Sequence, residues 1–343
     1  MRTEHVLRVG DAARTPWDDG SVDLVVTSPP YPMIELWDDL FLAGDSAIGA
    51  ALDAGEGEEA FELMHDQLDD VWDEVVRLLA PGAVVCVNVG DATRSLDGEF
   101  RRYPNHARVI DALSERGLTP LPDVLWRKPT NRLTKFMGSG MLPTNAYVTL
   151  EHEHVLLFRK GGLRAFPPGD DERYESAYFW EERNEWFSDL WDLQGTDQNL
   201  SGESRERSGA FPLELPLRLI RMFSVYGDTV YDPFGGTGTT SLAAMHAGRD
   251  SRLCELDPDL VDGFDERLVD LPARSRRRTR ERLDRHRAFV DEREEAPDYR
   301  ATHYEFPVVT RQERDIRLYA AESVTERGTE GAGRAYDVEH VPI

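Results

Sequence analysis

Asp232-Pro-Phe-Gly-Gly-Thr-Gly-Thr-Thr240 sets three glycines just after an acidic residue and a proline. It follows the apolar Thr229–Asp232 segment and opens an Ala-rich segment, so it predicts a strand, a glycine turn and a helix over Thr239 to Ala247. Such a turn lies at the carboxyl end of a strand, where open α/β sheets bind their ligands. Gly235, Gly236 and Gly238 let the backbone approach a ligand closely. A phosphate-cradling P-loop is excluded, because no Gly-Lys-Ser/Thr follows. The dinucleotide pattern is matched only in its first half, since Ser241 stands where the third glycine belongs. Glu255 closes the next expected strand, Arg252 to Leu256, and a carboxylate there can accept from both ribose hydroxyls. The turn therefore points to a nucleoside-containing cofactor.

Outward from it, apolar segments alternate in the same rhythm. Strands are expected at His5–Val9, Val22–Thr27, Ala83–Val89, Leu121–Trp126 and His154–Arg159. Helices are expected at Leu68–Leu79, stopped by Pro81-Gly82, at His106–Arg116 and at Leu215–Val225. The alternation predicts a mostly parallel α/β sheet covered on both faces. Three segments depart from it: residues 41–60 read as a loop insertion, 161–210 as irregular and aromatic-rich, and 271–343 as a polar tail with arginines clustered between Arg274 and Arg287.

A second motif, Thr27-Ser-Pro-Pro-Tyr31, also lies just past an expected strand. Its two prolines hold an extended turn and leave carbonyls without local N–H competitors. The Ser28 hydroxyl and a proline carbonyl make an acceptor pair suited to an amino group, and Tyr31 offers a face for stacking a base.

The 343 residues include 65 acidic and 40 basic side chains, for a net charge of −25, and Lys128, Lys135 and Lys160 are the only lysines. At molar salt the Debye length is about 3 Å, so self-repulsion among surface carboxylates costs little. The acidic, lysine-poor composition reads as that of a salt-loving host. No apolar run approaches the roughly 18 residues of a membrane helix, and no signal sequence is evident, so a cytoplasmic protein without membrane contact is expected. Cys86 and Cys254 lie in apolar segments and read as buried fillers. Glu151-His-Glu-His154 alternates metal-ligand types but lacks further ligands, so no metal is expected.

Together the two motifs resemble the signatures of S-adenosylmethionine-dependent DNA amino-methyltransferases, the cytosine-N4 and adenine-N6 family. The catalytic motif precedes the cofactor motif, which resembles the family's circularly permuted β group, and the likeness covers most of residues 5–260. It implies a class I methyltransferase fold: a Rossmann-like seven-stranded sheet with six parallel strands and one reversed, an inserted target-recognition region and a C-terminal extension. The implied layout is a catalytic half over 1–160, target recognition over 161–210, a cofactor half over 211–270 and an extension over 271–343. The cofactor is S-adenosyl-L-methionine, held by Asp11, Phe211, Pro212, Asp232, Phe234, Gly235, Gly236, Thr237, Gly238, Thr239 and Glu255. Ser28, Pro29, Pro30 and Tyr31 form the catalytic set.

Serine at the first motif position resembles the cytosine-N4 enzymes; aspartate or asparagine is typical of adenine-N6 enzymes. Neither cysteine follows a proline, which disfavours carbon-5 chemistry. Relatives in salt-loving archaea point to the palindrome CTAG. Double-stranded DNA is the implied partner, with a cognate restriction endonuclease as a further candidate. Because the net field repels DNA, a local basic loop with Arg127, Lys128, Arg132 and Lys135 is the expected phosphate contact. The competing readings are an adenine-N6 enzyme, an RNA or protein acceptor, and a nucleic-acid-binding protein that keeps the fold without turnover.

Overall fold

The computed structural model describes residues 1–128, 138–193, 211–328 and 333–343. Its centre is one twisted sheet. In chain order the strands that build it are β1 (Arg2–Val9), β2 (Val22–Thr27) and β3 (Leu79–Val89). After the small hairpin β4 (Ala92–Leu96) and β5 (Glu99–Tyr103) come β6 (Leu118–Arg127), β7 (His152–Lys160) and the short β8 (Leu190–Trp191). The motif strand is β9 (Thr229–Asp232), followed by β10 (Asp250–Glu255). Strands β11 (Tyr299–Arg300) and β12 (Pro307–Val308) pair apart from the sheet, and β13 (Tyr319–Gly328) and β14 (Arg334–Pro342) return to it.

The order across the sheet is β13-β14-β1-β10-β9-β2-β3-β7-β6-β8. Strands β1, β10, β9, β2 and β3 run parallel, β7 is reversed between β3 and β6, and β6 is again parallel to the first five. These seven are the six-plus-one sheet expected of a class I methyltransferase. Successive side chains on β2 serve opposite cores: Val25 packs with Val85, Val87 and Trp72, while Leu24 and Val26 pack with Leu215, Leu219 and Ala243. That explains the near-continuous apolar reading of the central strands.

Three expectations are corrected. Residues 41–60 are not a loop: they fall in helices Asp38–Gly44, Ser46–Asp53 and the start of Gly57–Leu78. Alanine and glutamate favour helix, Asp45 caps by accepting from the Ala47 N–H at 2.8 Å, and Ile48, Ala51 and Phe61 supply the buried face. The long helix ends at Leu78 rather than at Pro81-Gly82, which lies within β3. There the pairing with β2 slips between Val22 and Leu24, a bulge that accommodates a proline without an N–H.

The stretch 271–343 is not a mere polar tail either. Leu271–Asp291 is helical and packs on β13, and the β13–β14 hairpin lengthens the sheet antiparallel to β1. The expectation missed it because its strands alternate apolar with charged residues. Arg282 of this helix is buried against Glu182, so part of the arginine cluster serves internal packing. In the 161–210 stretch the described part contains helices Asp171–Glu175 and Trp180–Trp186. Trp186 and Trp191 are core there, whereas Tyr174 and Trp180 are exposed. No helix among the described residues is long and apolar enough to cross a membrane.

Candidate active site

The carboxyl ends of β1, β2, β9 and β10 open onto one cavity of ≈ 1030 Å³, the upper end of the size range for small-molecule sites. Of the residues read from sequence, Asp11, Ser28, Pro29, Pro30, Tyr31, Phe211 and Asp232 line it, as do Phe234, Gly235, Gly236, Thr237, Thr239 and Glu255. Pro212 and Gly238 are not part of that lining, though each adjoins a lining residue in the chain. The helix at 38–44 adds Leu40, Phe41 and Gly44 to the lining, which the sequence reading had not anticipated.

The glycine turn has the shape its residues suggested. Gly238 adopts φ +77 at the start of the Thr239–Ala247 helix, and a Cβ on it would stand 2.5 Å from the Phe264 ring. Gly236 adopts φ +51 with open space where a Cβ would be, so the bare backbone faces the cavity. Glu255 Oε2 accepts the Gly236 N–H at 2.6 Å and Oε1 accepts the Asp257 N–H at 2.9 Å. These bonds aim a carboxylate into the cavity beside the turn, as a nucleoside with a free ribose requires. Asp232 is buried, which pushes its pKa up to about 6, against the pull of its bonds from Thr27 and the Phe234 N–H.

Around Ser28 the structure adds residues that sequence reasoning missed. Ser28 Oγ lies 3.0 Å from Tyr31 Oη, and Tyr31 donates to Glu153 Oε2 at 3.1 Å. The Asn88 amide donates to Tyr31 Oη at 2.9 Å and to Glu153 Oε2 at 2.7 Å. Burial, and then the charge of Glu153, hold the Tyr31 hydroxyl well above its usual pKa, so it stays protonated. Asn88 had no distinctive motif and Glu153 stood out only within the alternating Glu151–His154 run; they meet because β3 and β7 are neighbours in the sheet.

Lys128 Nζ forms an ion pair with Glu153 and sits 4.6 Å from the Trp126 ring centroid, with its side chain still 39% exposed. Arg127 is exposed, with Glu151 at 3.8 Å. Arg132 and Lys135 lie outside the described residues. His154 stacks on His106 with ring centroids 4.1 Å apart, beside Asp91, a set whose ligand atoms lie close enough to share an ion. Arg102 bonds the other Asp91 oxygen, and a guanidinium there opposes a cation. Cys86 and Cys254 are buried, with burial raising both thiol pKa values, as befits inert fillers.

The sheet order, the glycine turn and the carboxylate beside it are those of a methyltransferase that uses S-adenosylmethionine. Residues 22–266 match the model of the N6/N4 methyltransferase family, described as DNA methylase, and the chain belongs to that family. It is 49% identical to the Type II methyltransferase M.MthZI of Methanothermobacter thermautotrophicus, over 93% of this chain and 91% of that protein. It is 47% identical to the Type II methyltransferase M.MjaI of Methanocaldococcus jannaschii, over 78% of this chain and 92% of that one. Among solved structures, a DNA modification methylase of Thermus thermophilus in complex with S-adenosyl-L-methionine is 32% identical, with a TM-score of 0.61 over 77% of this chain and 93% of that one. The PvuII DNA methyltransferase, cytosine-N4-specific, shares the fold at 20% identity, with a TM-score of 0.50 over 77% and 86% of the two chains. The chain is thus a DNA methyltransferase of the S-adenosylmethionine-dependent type.

Proposed function

We propose that this chain transfers the methyl group to the exocyclic N4 amino group of cytosine in a short duplex site, with CTAG as the candidate sequence. The observation that carries the reading is Ser28, which lines the cofactor-sized cavity beside Pro29 and carries a hydroxyl rather than a carboxylate or amide. S-adenosylmethionine supplies an electrophilic sulfonium methyl. Asp11, Glu255, the Gly235–Gly238 backbone and the Phe211-Pro212 segment would hold the cofactor. Ser28 Oγ and the Pro29 carbonyl accept the two amino N–H bonds, which draws the nitrogen lone pair out of the ring and towards the methyl. Tyr31 closes the wall against which a base, flipped from the duplex, comes to rest.

Arg127, Lys128, Arg132 and Lys135 would be the phosphate contacts of the basic loop, and Arg127→Glu should raise the KM for DNA severalfold. The names of the methanogen relatives as Type II methyltransferases support a cognate endonuclease as partner and a cytoplasmic setting. The reading of a salt-loving host rests on composition alone, since those relatives come from methanogens. The deciding experiment is transfer from labelled S-adenosylmethionine to unmethylated genomic DNA in molar KCl, followed by digestion to nucleosides and mass spectrometry. N4-methylcytosine is the expected product; N6-methyladenine in its place would overturn the reading of Ser28.

A further inference from the structure

We propose that Glu153 is a positioning residue that, through Tyr31, fixes which way the Ser28 hydroxyl proton points. The inference rests on the reading of Ser28 as acceptor for the amino group. It follows from counting protons in a buried network. A carboxylate has no proton to give, so across the 3.1 Å contact between Tyr31 Oη and Glu153 Oε2 the phenol must be the donor. The Asn88 amide must likewise present its nitrogen, which donates both to Glu153 and to Tyr31. With its only proton committed, Tyr31 Oη can only accept from Ser28 across the remaining 3.0 Å contact. The Ser28 proton is therefore drawn towards Tyr31; one of its lone pairs meets the Asn88 amide nitrogen at 3.5 Å and the other is left for the cavity.

Reversal of that polarity is costly to the chemistry. A Tyr31 that donated to Ser28 would turn the serine proton towards the cavity, where it would confront an amino group donor to donor. Lys128 makes the device sensitive to a single atom. Its ammonium faces Glu153 Oε1, so a glutamine at this position would put its oxygen there and its amide nitrogen towards Tyr31 and Asn88. The Asn88 amide can turn to meet it, because its Oδ1 has no hydrogen-bond partner among the described residues. Tyr31 would then accept from the glutamine, and its proton, no longer held by a carboxylate, would be shared between the turned Asn88 Oδ1 and Ser28, so the polarity of the Ser28 hydroxyl would no longer be fixed.

The test is a double-mutant cycle of Glu153→Gln and Tyr31→Phe, read as kcat at saturating DNA and S-adenosylmethionine, with the cofactor Kd of each variant as the fold control. Glu153→Gln should lower kcat at least fivefold with the cofactor Kd within twofold of wild type. In the Tyr31→Phe background the same change should alter kcat less than twofold, because the route to Ser28 is already cut. Glu153→Leu, which removes the acceptor altogether, should likewise lower kcat when Tyr31 is present and change it less than twofold in the Tyr31→Phe background.

A smaller loss with Glu153→Gln, an equal loss in both backgrounds, or a cofactor Kd that rises in step with the fall in kcat would each assign Glu153 a structural role and overturn the proposal. The target reading fails separately. A methyl group on another atom would appear in the nucleosides made by the wild-type enzyme, before any variant is compared.

Discussion

The Thr27 hydroxyl donates to Asp232 Oδ1 at 2.6 Å, both side chains buried, although 205 residues separate them in the chain. This bond joins the end of β2, which carries Ser28, to the end of β9, which carries the glycine turn. Two motifs that are distant and permuted in sequence are thereby held at one depth in the sheet. Thr27→Val keeps the shape and deletes the donor, so it should destabilise the protein by about 1–3 kcal/mol.

The loss should depend on pH. The Thr27 bond favours the charged form of Asp232, whose pKa already stands at about 6, and its removal pushes that value higher. Wild type and variant should therefore differ little near pH 4.5, where Asp232 is protonated in both, and the gap should widen as pH rises through 6. Urea unfolding at pH 4.5 and pH 8 measures it, and a gap that did not change with pH would remove Asp232 from the account.

Ser28 and Glu255 should separate turnover from cofactor binding. Ser28→Ala should retain the cofactor Kd within twofold and lose roughly 10²-fold in kcat, the scale of a preorganised polar contact at a reacting group. Glu255→Ala should instead raise the cofactor Kd at least tenfold, since the carboxylate held by the Gly236 and Asp257 N–H groups is lost. Isothermal titration with S-adenosylmethionine and steady-state assays separate the two effects.

The C-terminal helix is pinned by charge. Arg282 donates from Nε and Nη2 to the two oxygens of Glu182, and both side chains are more than nine-tenths buried. Arg282→Met leaves a buried carboxylate unpaired and should cost about 3–5 kcal/mol, whereas Arg282→Met with Glu182→Leu should recover most of it. Chemical denaturation of the single and double variants checks this.

Acid should loosen the β1–β14 edge. Thr3 Oγ lies 2.9 Å from Nε2 of both His5 and His340, and burial lowers their pKa values to about 3 and about 4. Both rings are neutral when folded and take up a proton near pH 6.5 when unfolded. Their contribution is complete above that pH and is lost as pH falls towards 4, by up to about 2.7 kcal/mol per pH unit for the two together. Replacing both with glutamine should flatten the wild-type decline between pH 6 and 4.5 in urea titrations.

The central strands, the glycine turn and the Thr27–Tyr31 motif were legible in the sequence because each depends on local chemistry. Continuous apolar runs mark strands buried on both faces, a left-handed backbone asks for glycine, and paired prolines stiffen a turn. The helices at 38–53 were less legible, because a Gly, Ala, Asp and Glu composition hides a buried face that only Ile48, Ala51 and Phe41 reveal. The β13–β14 hairpin escaped for the matching reason on strands, as its charged positions face solvent or pair across the edge.

The class of fold, the order of its motifs and the polar atoms brought to the cavity follow from local chemistry along the chain. What surrounds them follows from how the strands pack. Glu153, Asn88 and Lys128 carry no spacing relative to Ser28 that a reader of the chain could weigh, because neighbours across a sheet are set by strand order and register. The reversed β7 slots between β3 and β6, and that placement alone turns Glu153 from an ordinary strand carboxylate into the group that holds Tyr31.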